Sequence, residues 1–248
     1  MRFFSVKLRY VILFLLLGAA IIYLAVGENV KETFMSGNRN LPVYSVDRSD
    51  TSLALTFNCA WNDSDIDDIL KLLEKYNVKS TFFVVGDWAE KYHDALKKIS
   101  AAGHEIGEHS YSHSDYTTLS DSQIAEDIEK TAAVISEITG SRPTLVRVPS
   151  GAYNSRVITA VEKCGYIPVQ WSVDSIDYAA QNCEEIFSRA SVAAPGDIVL
   201  MHNGTRFTAS ALPRLLDSLC SKYTLVPVSQ LIYNDNFYVD ATGKMKLK

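Results

Sequence analysis

The sequence predicts an α/β protein built on a parallel sheet with crossover helices. Short apolar runs alternate with longer amphipathic segments, and the runs are rich in Val, Ile and Phe. Polar clusters recur just beyond the ends of several runs. In a (β/α) barrel reactive groups gather at the C-terminal strand ends. Alternation alone leaves a barrel and a doubly wound sheet both open.

The elements follow in order. Leu53-Ala54-Leu55-Thr56-Phe57 reads as a strand. From Asp63 to Tyr76, Ile66, Ile69, Leu70 and Leu73 recur at helical spacing behind the capping cluster Asn62-Asp63-Ser64. Ser80 to Val85 is a strand, Asp87 to Ala101 a helix and His104 to Glu108 a strand. A helix from Ser120 to Thr139 is stopped by Gly140 and Pro143. Then come a strand at 144–147, a helix at 155–163, a strand at 166–171, a helix at 183–192 and a strand at 197–201. A last helix at 209–221 leads to a strand at 224–227. Residues 234–248 read as a polar, peripheral tail.

Residues 1–27 depart from this pattern. Arg2, Lys7 and Arg9 precede an uncharged run from Tyr10 to Val26. A basic flank before such a run marks a signal anchor or a cleavable signal peptide, and its length, near the ~18 to 20 residues that cross a bilayer, favours the anchor. Ala25-Val26-Gly27 offers small residues for cleavage. Either reading places the rest of the chain outside the cytoplasm, with residues 28–42 as linker and 43–233 as the main domain.

The 248 residues are 47% hydrophobic and 21% charged, which suits one domain of about 200 residues plus a terminal segment. A net charge of -5 without a basic stripe gives no footprint for nucleic acid, and nothing in the sequence names a protein partner. Cys59, Cys164, Cys183 and Cys220 fit no zinc-ribbon or CxxC spacing. The last three read as small, reduced residues.

Four clusters carry chemistry. His109-Ser110-Tyr111-Ser112-His113 holds two imidazoles that can meet one divalent ion. Zinc accepts such ligands with a carboxylate or thiolate as third, leaving a place for an activated water. Arg147-Val148-Pro149-Ser150-Gly151 joins an arginine to a turn whose backbone N–H groups can hold an oxyanion. Trp171 to Tyr178 offers an aromatic wall and two acids. Leu200-Met201-His202 ends an apolar strand on a histidine, and a carboxylate bonded to it would orient it as a general acid.

In this order the clusters resemble the polysaccharide deacetylases with the NodB homology domain, carbohydrate esterase family 4, over roughly Val43 to Leu231. His109 to His113 matches H-[ST]-x-x-H and Arg147 to Gly151 matches R-x-P-x-G. Asp174-Ser175-Ile176-Asp177-Tyr178 is similar to D-x-x-D-[WY], and Leu200 to His202 to L-x-H. The wording of Phe57 to Trp61 and of Leu41 to Val46 looks like the spore-associated deacetylases of endospore-forming bacteria. The resemblance implies a distorted (β/α) barrel and metal-assisted hydrolysis of N-acetyl groups on an envelope amino-sugar polymer such as peptidoglycan. It further implies that His109 and His113 bind a divalent metal such as zinc, that His202 is the general acid tuned by Asp177, and that Arg147 orients the base. Tyr178 and Leu200 would wall the acetyl pocket, with Trp171 beside them and the Ser150 amide as oxyanion donor.

The first motif departs from the pattern. Where the family has T-F-D-D-G, this chain has Thr56-Phe57-Asn58-Cys59-Ala60. An amide has no useful basicity, so Asn58 at the base position cannot take a proton from water. Cys59 is a candidate third metal ligand, or else a small buried residue. Asp63 and Asp65 are either substitutes or caps of the next helix. Two functions follow: an N-deacetylase with a modified site, or an impaired member that binds envelope glycan. A small-molecule amidohydrolase would need a closed pocket.

Overall fold

The computed structural model describes residues 40–248. The expected N-terminal anchor and all but the last residues of the expected linker lie outside them. No helix among the described residues is long and apolar enough to cross a membrane.

The central sheet is parallel. Its strands are β2 (Ser52–Cys59), β3 (Thr81–Val84), β4 (Glu105–Glu108), β5 (Leu145–Val146), β6 (Ile167–Pro168), β7 (Val173–Asp174) and β8 (Ile198–His202), in the order β6-β5-β4-β3-β2-β8-β7. A further strand, β9 (Thr224–Leu225), pairs with the start of β2. The late strand β8 therefore lies beside the early strand β2, the neighbour relation of a barrel and not the reversed order of a doubly wound sheet. The two edge strands are consecutive in the chain. Val169 N–H bonds Val146 on one side, and Ser172 N–H bonds Ile198 on the other, so one short run crosses from edge to edge of the curled sheet.

Side-chain alternation along β2 decides what the site receives. Leu53, Leu55, Phe57 and Cys59 pack with the helices in the main apolar cluster. Thr56 and Asn58 face the other way, towards Arg147. The helix Asp121–Thr139 stops at Gly140 in the left-handed conformation, as the sequence predicts, and it opens on a Ser120–Gln123 capping box.

Two expectations change. The helix predicted from Asp87 to Ala101 is two helices, Gly86–Lys91 and His93–Ala101, broken at Tyr92 (φ -117°, ψ 42°) with neither Gly nor Pro to mark the break. The tail is not peripheral. Phe237–Val239 and Lys244–Leu247 form an antiparallel pair that adds Ser45–Val46 in parallel, burying Met245 completely. Gly243 makes this fit possible, because its φ is +81° and a Cβ there would sit 2.4 Å from the Tyr44 ring.

His104 lies at the start of β4, 7% exposed, accepting a bond from Ser80 N–H (3.2 Å) and tilted against Phe82. Burial, with Lys79 nearby, lowers its pKa from 6.5 to about 4. The folded chain thus holds this ring neutral, and the unfolded chain takes up the proton first. The resulting stability is present above about pH 6.5 and is lost as pH falls towards about 4, on the order of 2 kcal/mol. Thermal midpoints at pH 7 and pH 5 should therefore separate more for the wild type than for His104→Gln, which keeps an acceptor and removes the titration.

Candidate active site

The C-terminal ends of β2, β4 and β8, with the loops after β5 and β7, surround a cavity of about 440 Å³. Asn58, His109, His113, Ser150, Trp171, Tyr178, Leu200 and His202 all line it. Arg147 and Asp177 stand behind the wall, each in contact with a lining residue. Ten of the eleven residues expected at the site are thus brought together. Trp61, Ala60 and Asp174 complete the lining.

Arg147 is fully buried. Its Nη1 donates to Asn58 Oδ1 (2.9 Å) and Thr56 Oγ1 (3.0 Å), and Nη2 donates to the Gln170 carbonyl (3.1 Å). The guanidinium lies 3.9 Å from the Phe83 ring centroid. Burial pulls its pKa down to about 9, so it remains a cation at neutral pH, and no carboxylate bonds it.

His109 closes a ring with this arginine. Its Nδ1 lies 2.6 Å from the Arg147 carbonyl, which can only accept, so Nδ1 carries the proton. Burial, then the neighbouring His113, lowers the pKa of His109 and keeps it neutral. Nε2 is therefore a lone pair, and Asn58 Nδ2 lies 3.2 Å from it. Because Asn58 Oδ1 faces the guanidinium, the amide nitrogen must be the group that donates to His109. The nitrogen of His109 best placed for a metal is capped by an amide hydrogen.

His113 comes alongside, its ring edge-on to His109 with centroids 4.9 Å apart. The loop that brings it there holds two non-glycine residues at positive φ, Ser110 (67°) and His113 (57°). Ser110 N–H is anchored by Glu108 Oε1 (2.6 Å) and Ser114 N–H by Ser110 Oγ (3.0 Å).

The second polar unit is His202 with Asp177. His202 Nδ1–H donates to Asp177 Oδ1 (2.8 Å), while His202 N–H and Thr208 Oγ1 both donate to Oδ2 (2.7 and 2.6 Å). Asp177 is placed by Ile176, a β-branched residue at φ +49° whose N–H is held by Asp174 Oδ1 (2.8 Å). With Nδ1 committed, Nε2 is the ring nitrogen left for proton transfer. Ser150 also takes a positive φ (55°), within the turn Pro149–Gly151.

Cys59 is a correction. It is completely buried on the Phe57 face of β2, among the helices and away from the cavity. Burial, reinforced by Asp65, raises its pKa well above the ordinary thiol value, so a thiolate is disfavoured. Asp65 does not serve the site either. Its Oδ1 accepts from Gly204 N–H (2.7 Å), and although it occupies the N-cap position of Ile66–Lys75 its side chain makes no capping bond. Asp63 is exposed.

The residues present were weighed against a three-ligand zinc centre. Two imidazoles approach one another, but one lone pair is capped and the third position carries a thiol turned into the core. Among the described residues no group of three or more His, Cys, Asp or Glu side chains is placed to hold an ion. As arranged, the donor set does not fit that centre.

A curled parallel sheet with paired imidazoles and a histidine–carboxylate pair at its C-terminal mouth defines a scaffold of the carbohydrate esterase class. The polysaccharide deacetylase family model matches residues 45–169. A CE4 family pseudoenzyme from Bacillus anthracis superimposes with a TM-score of 0.73 at 31% identity, covering 77% of this chain and 68% of that one. A mutant of it with restored enzymatic activity gives the same score and identity, with 70% of that chain covered. The peptidoglycan-N-acetylglucosamine deacetylase PgdA of Listeria monocytogenes is 31% identical over 90% of this chain, which spans 48% of PgdA's length. The peptidoglycan-N-acetylmuramic acid deacetylase PdaC of Bacillus subtilis is 34% identical over 75% of this chain and is covered to 40%. The chain belongs to the polysaccharide deacetylase family, and it spans about half the length of these curated relatives.

All four cysteines are free. A thiol reagent applied to the native protein should leave Cys59 unmodified until unfolding. Cys59→Ser should cost about 1–3 kcal/mol in denaturant titration, because it buries a hydroxyl among apolar side chains, and should leave zinc uptake unchanged.

Proposed function

We propose that this chain binds an amino-sugar polysaccharide of the cell envelope, of the peptidoglycan class, in the cavity at the strand ends, with N-deacetylation impaired. One observation carries the reading: the Asn58 amide joins Arg147 to His109 in a closed hydrogen-bonded ring. Asn58 supplies no base, and its N–H group satisfies the His109 lone pair. The ring of Asn58, Arg147 and His109 closes through its own hydrogen bonds.

The cavity is suited to holding a sugar. It combines indole and phenol surfaces from Trp61, Trp171 and Tyr178 with polar groups from Asn58, Asp174 and His202, the mixture expected of a small-molecule site. The names of the relatives support a peptidoglycan-type ligand, and the pseudoenzyme among the similar structures supports loss of turnover. Residues 1–27 would hold the chain to the membrane with this cavity on the extracytoplasmic side.

A second reading, a metal-dependent N-deacetylase, is favoured by the intact His202–Asp177 pair. In that reading His202 serves as both base and acid. Water adds to the acetamido carbonyl carbon, the C–N bond breaks, and the departing amine takes its proton from His202.

Acetate release from N-acetylglucosamine oligomers and from purified peptidoglycan, with zinc or cobalt added, decides between the two, alongside retention of the protein on insoluble peptidoglycan. The wild type should be retained and release no acetate above background. Asn58→Asp, which reinstates the family base, should raise release by about 100- to 10,000-fold. Wild-type release that a chelator abolishes would overturn the impaired reading and establish the second.

A further inference from the structure

Trp61, in the first motif, is one of three aromatic side chains on the cavity wall other than the histidines. Its large indole is 49% exposed at the cavity wall. It is stacked on the His202 ring, with centroids 5.3 Å apart and planes 27° apart. Tyr178, 55% exposed, meets the same imidazole edge-on at 5.4 Å. One indole face thus covers the histidine and the other is open. Leaving that much apolar surface in water is unfavourable unless something covers it.

The backbone beside the indole is held by Asn62. Asn62 O accepts from Trp88 Nε1 (3.2 Å) and from Asn203 Nδ2, Asn62 Oδ1 accepts from Ser64 N–H (3.0 Å) and Ser64 Oγ (2.6 Å), and Asn62 Nδ2 donates to Gly204 O (3.4 Å). Gly204 takes φ +70°, and a Cβ there would lie 3.0 Å from Asn62 Nδ2. The segment after β2 and the segment after β8 are therefore clasped together, and Trp61 and His202 are the adjacent residues that the clasp fixes.

We propose that Trp61 is the platform on which a pyranose ring of the bound glycan stacks, next to the ring whose acetamido group enters the cavity. The ligand class is an N-acetylhexosamine oligomer of two or more units, and the assignment rests on the glycan-binding reading above. An indole matches the apolar face of a sugar ring, and because it is already stacked on His202 it loses little conformational freedom on binding. The platform serves binding, since no group on the indole can accept a proton from water.

The test is calorimetric titration of the full-length chain with N-acetylglucosamine monomer and tetramer, comparing wild type, Trp61→Ala and Trp61→Phe. Trp61→Ala should weaken the tetramer about tenfold, which corresponds to ~1.4 kcal/mol, and leave the monomer and the thermal midpoint unchanged. Trp61→Phe should recover part of the loss. Equal tetramer affinity in wild type and Trp61→Ala would overturn the platform while leaving the glycan-binding reading in place. Equal weakening of monomer and tetramer would also overturn it, since the indole would then serve the acetamido subsite. A wild type that binds neither sugar nor peptidoglycan would overturn the glycan-binding reading itself.

Discussion

The arrangement of the site depends on one buried cation. Arg147 sits inside the curl of the sheet with no exposed surface, and its guanidinium reaches Thr56 and Asn58 on β2 and the carbonyl of Gln170 on the edge-crossing run. Its own carbonyl fixes the tautomer of His109. One residue thereby ties together three parts of the sheet and sets the proton position on the first imidazole. Taking such a charge out of water costs several kcal/mol unless its hydrogens find partners, and only Nε among its nitrogens lacks one. The oxygens around it are neutral. Those dipoles and the Phe83 face do the work that a carboxylate does in an ordinary buried pair.

That constraint explains how an amide at residue 58 can be stable here and still alter the chemistry. An aspartate in this place would face the guanidinium as a charge partner and offer nothing to donate to His109. Asparagine faces Arg147 with its oxygen and His109 with its N–H group, so every inward-facing atom is satisfied. A metal competing for the His109 lone pair would first have to displace the hydrogen bond donated by the Asn58 amide. The change thus removes a base and stabilises the unliganded state of an imidazole at the same time. His202 and Asp177 lie outside this ring, bonded to each other and to Thr208.

Much of this was legible before any coordinates. Ser120 and Gly140 bounded their helix because a capping box and a left-handed stop are local chemistry. The polar clusters fell at strand ends because apolar runs fix where strands stop. Period-two alternation also places Cys59, since it shares the parity of Leu53, Leu55 and Phe57 and so shares their face. Other features had no local mark. The break at Tyr92 lacks Gly and Pro, and residues 237–247 are too polar to read as strands until Ser45–Val46 is there to pair with them. Trp61 looks like any exposed aromatic until β8 brings His202 under it.

The strained residues bear on what the cavity is for. Ser110, His113, Ser150 and Ile176 all hold positive φ around the same mouth, each at a cost of about 1–3 kcal/mol that the surrounding packing must offset. Proton transfer from water needs a base, and residue 58 is not one. Recognition of a rigid sugar needs a wall whose groups are already in place, because every side chain ordered on binding subtracts from affinity. The strained turns aim His113 and the Ser150 segment at the cavity and set Asp177 behind His202, and the Asn62 clasp fixes the backbone beside Trp61. A site with this much fixed geometry is organised to hold a rigid ligand, and that preorganisation favours the glycan-binding reading.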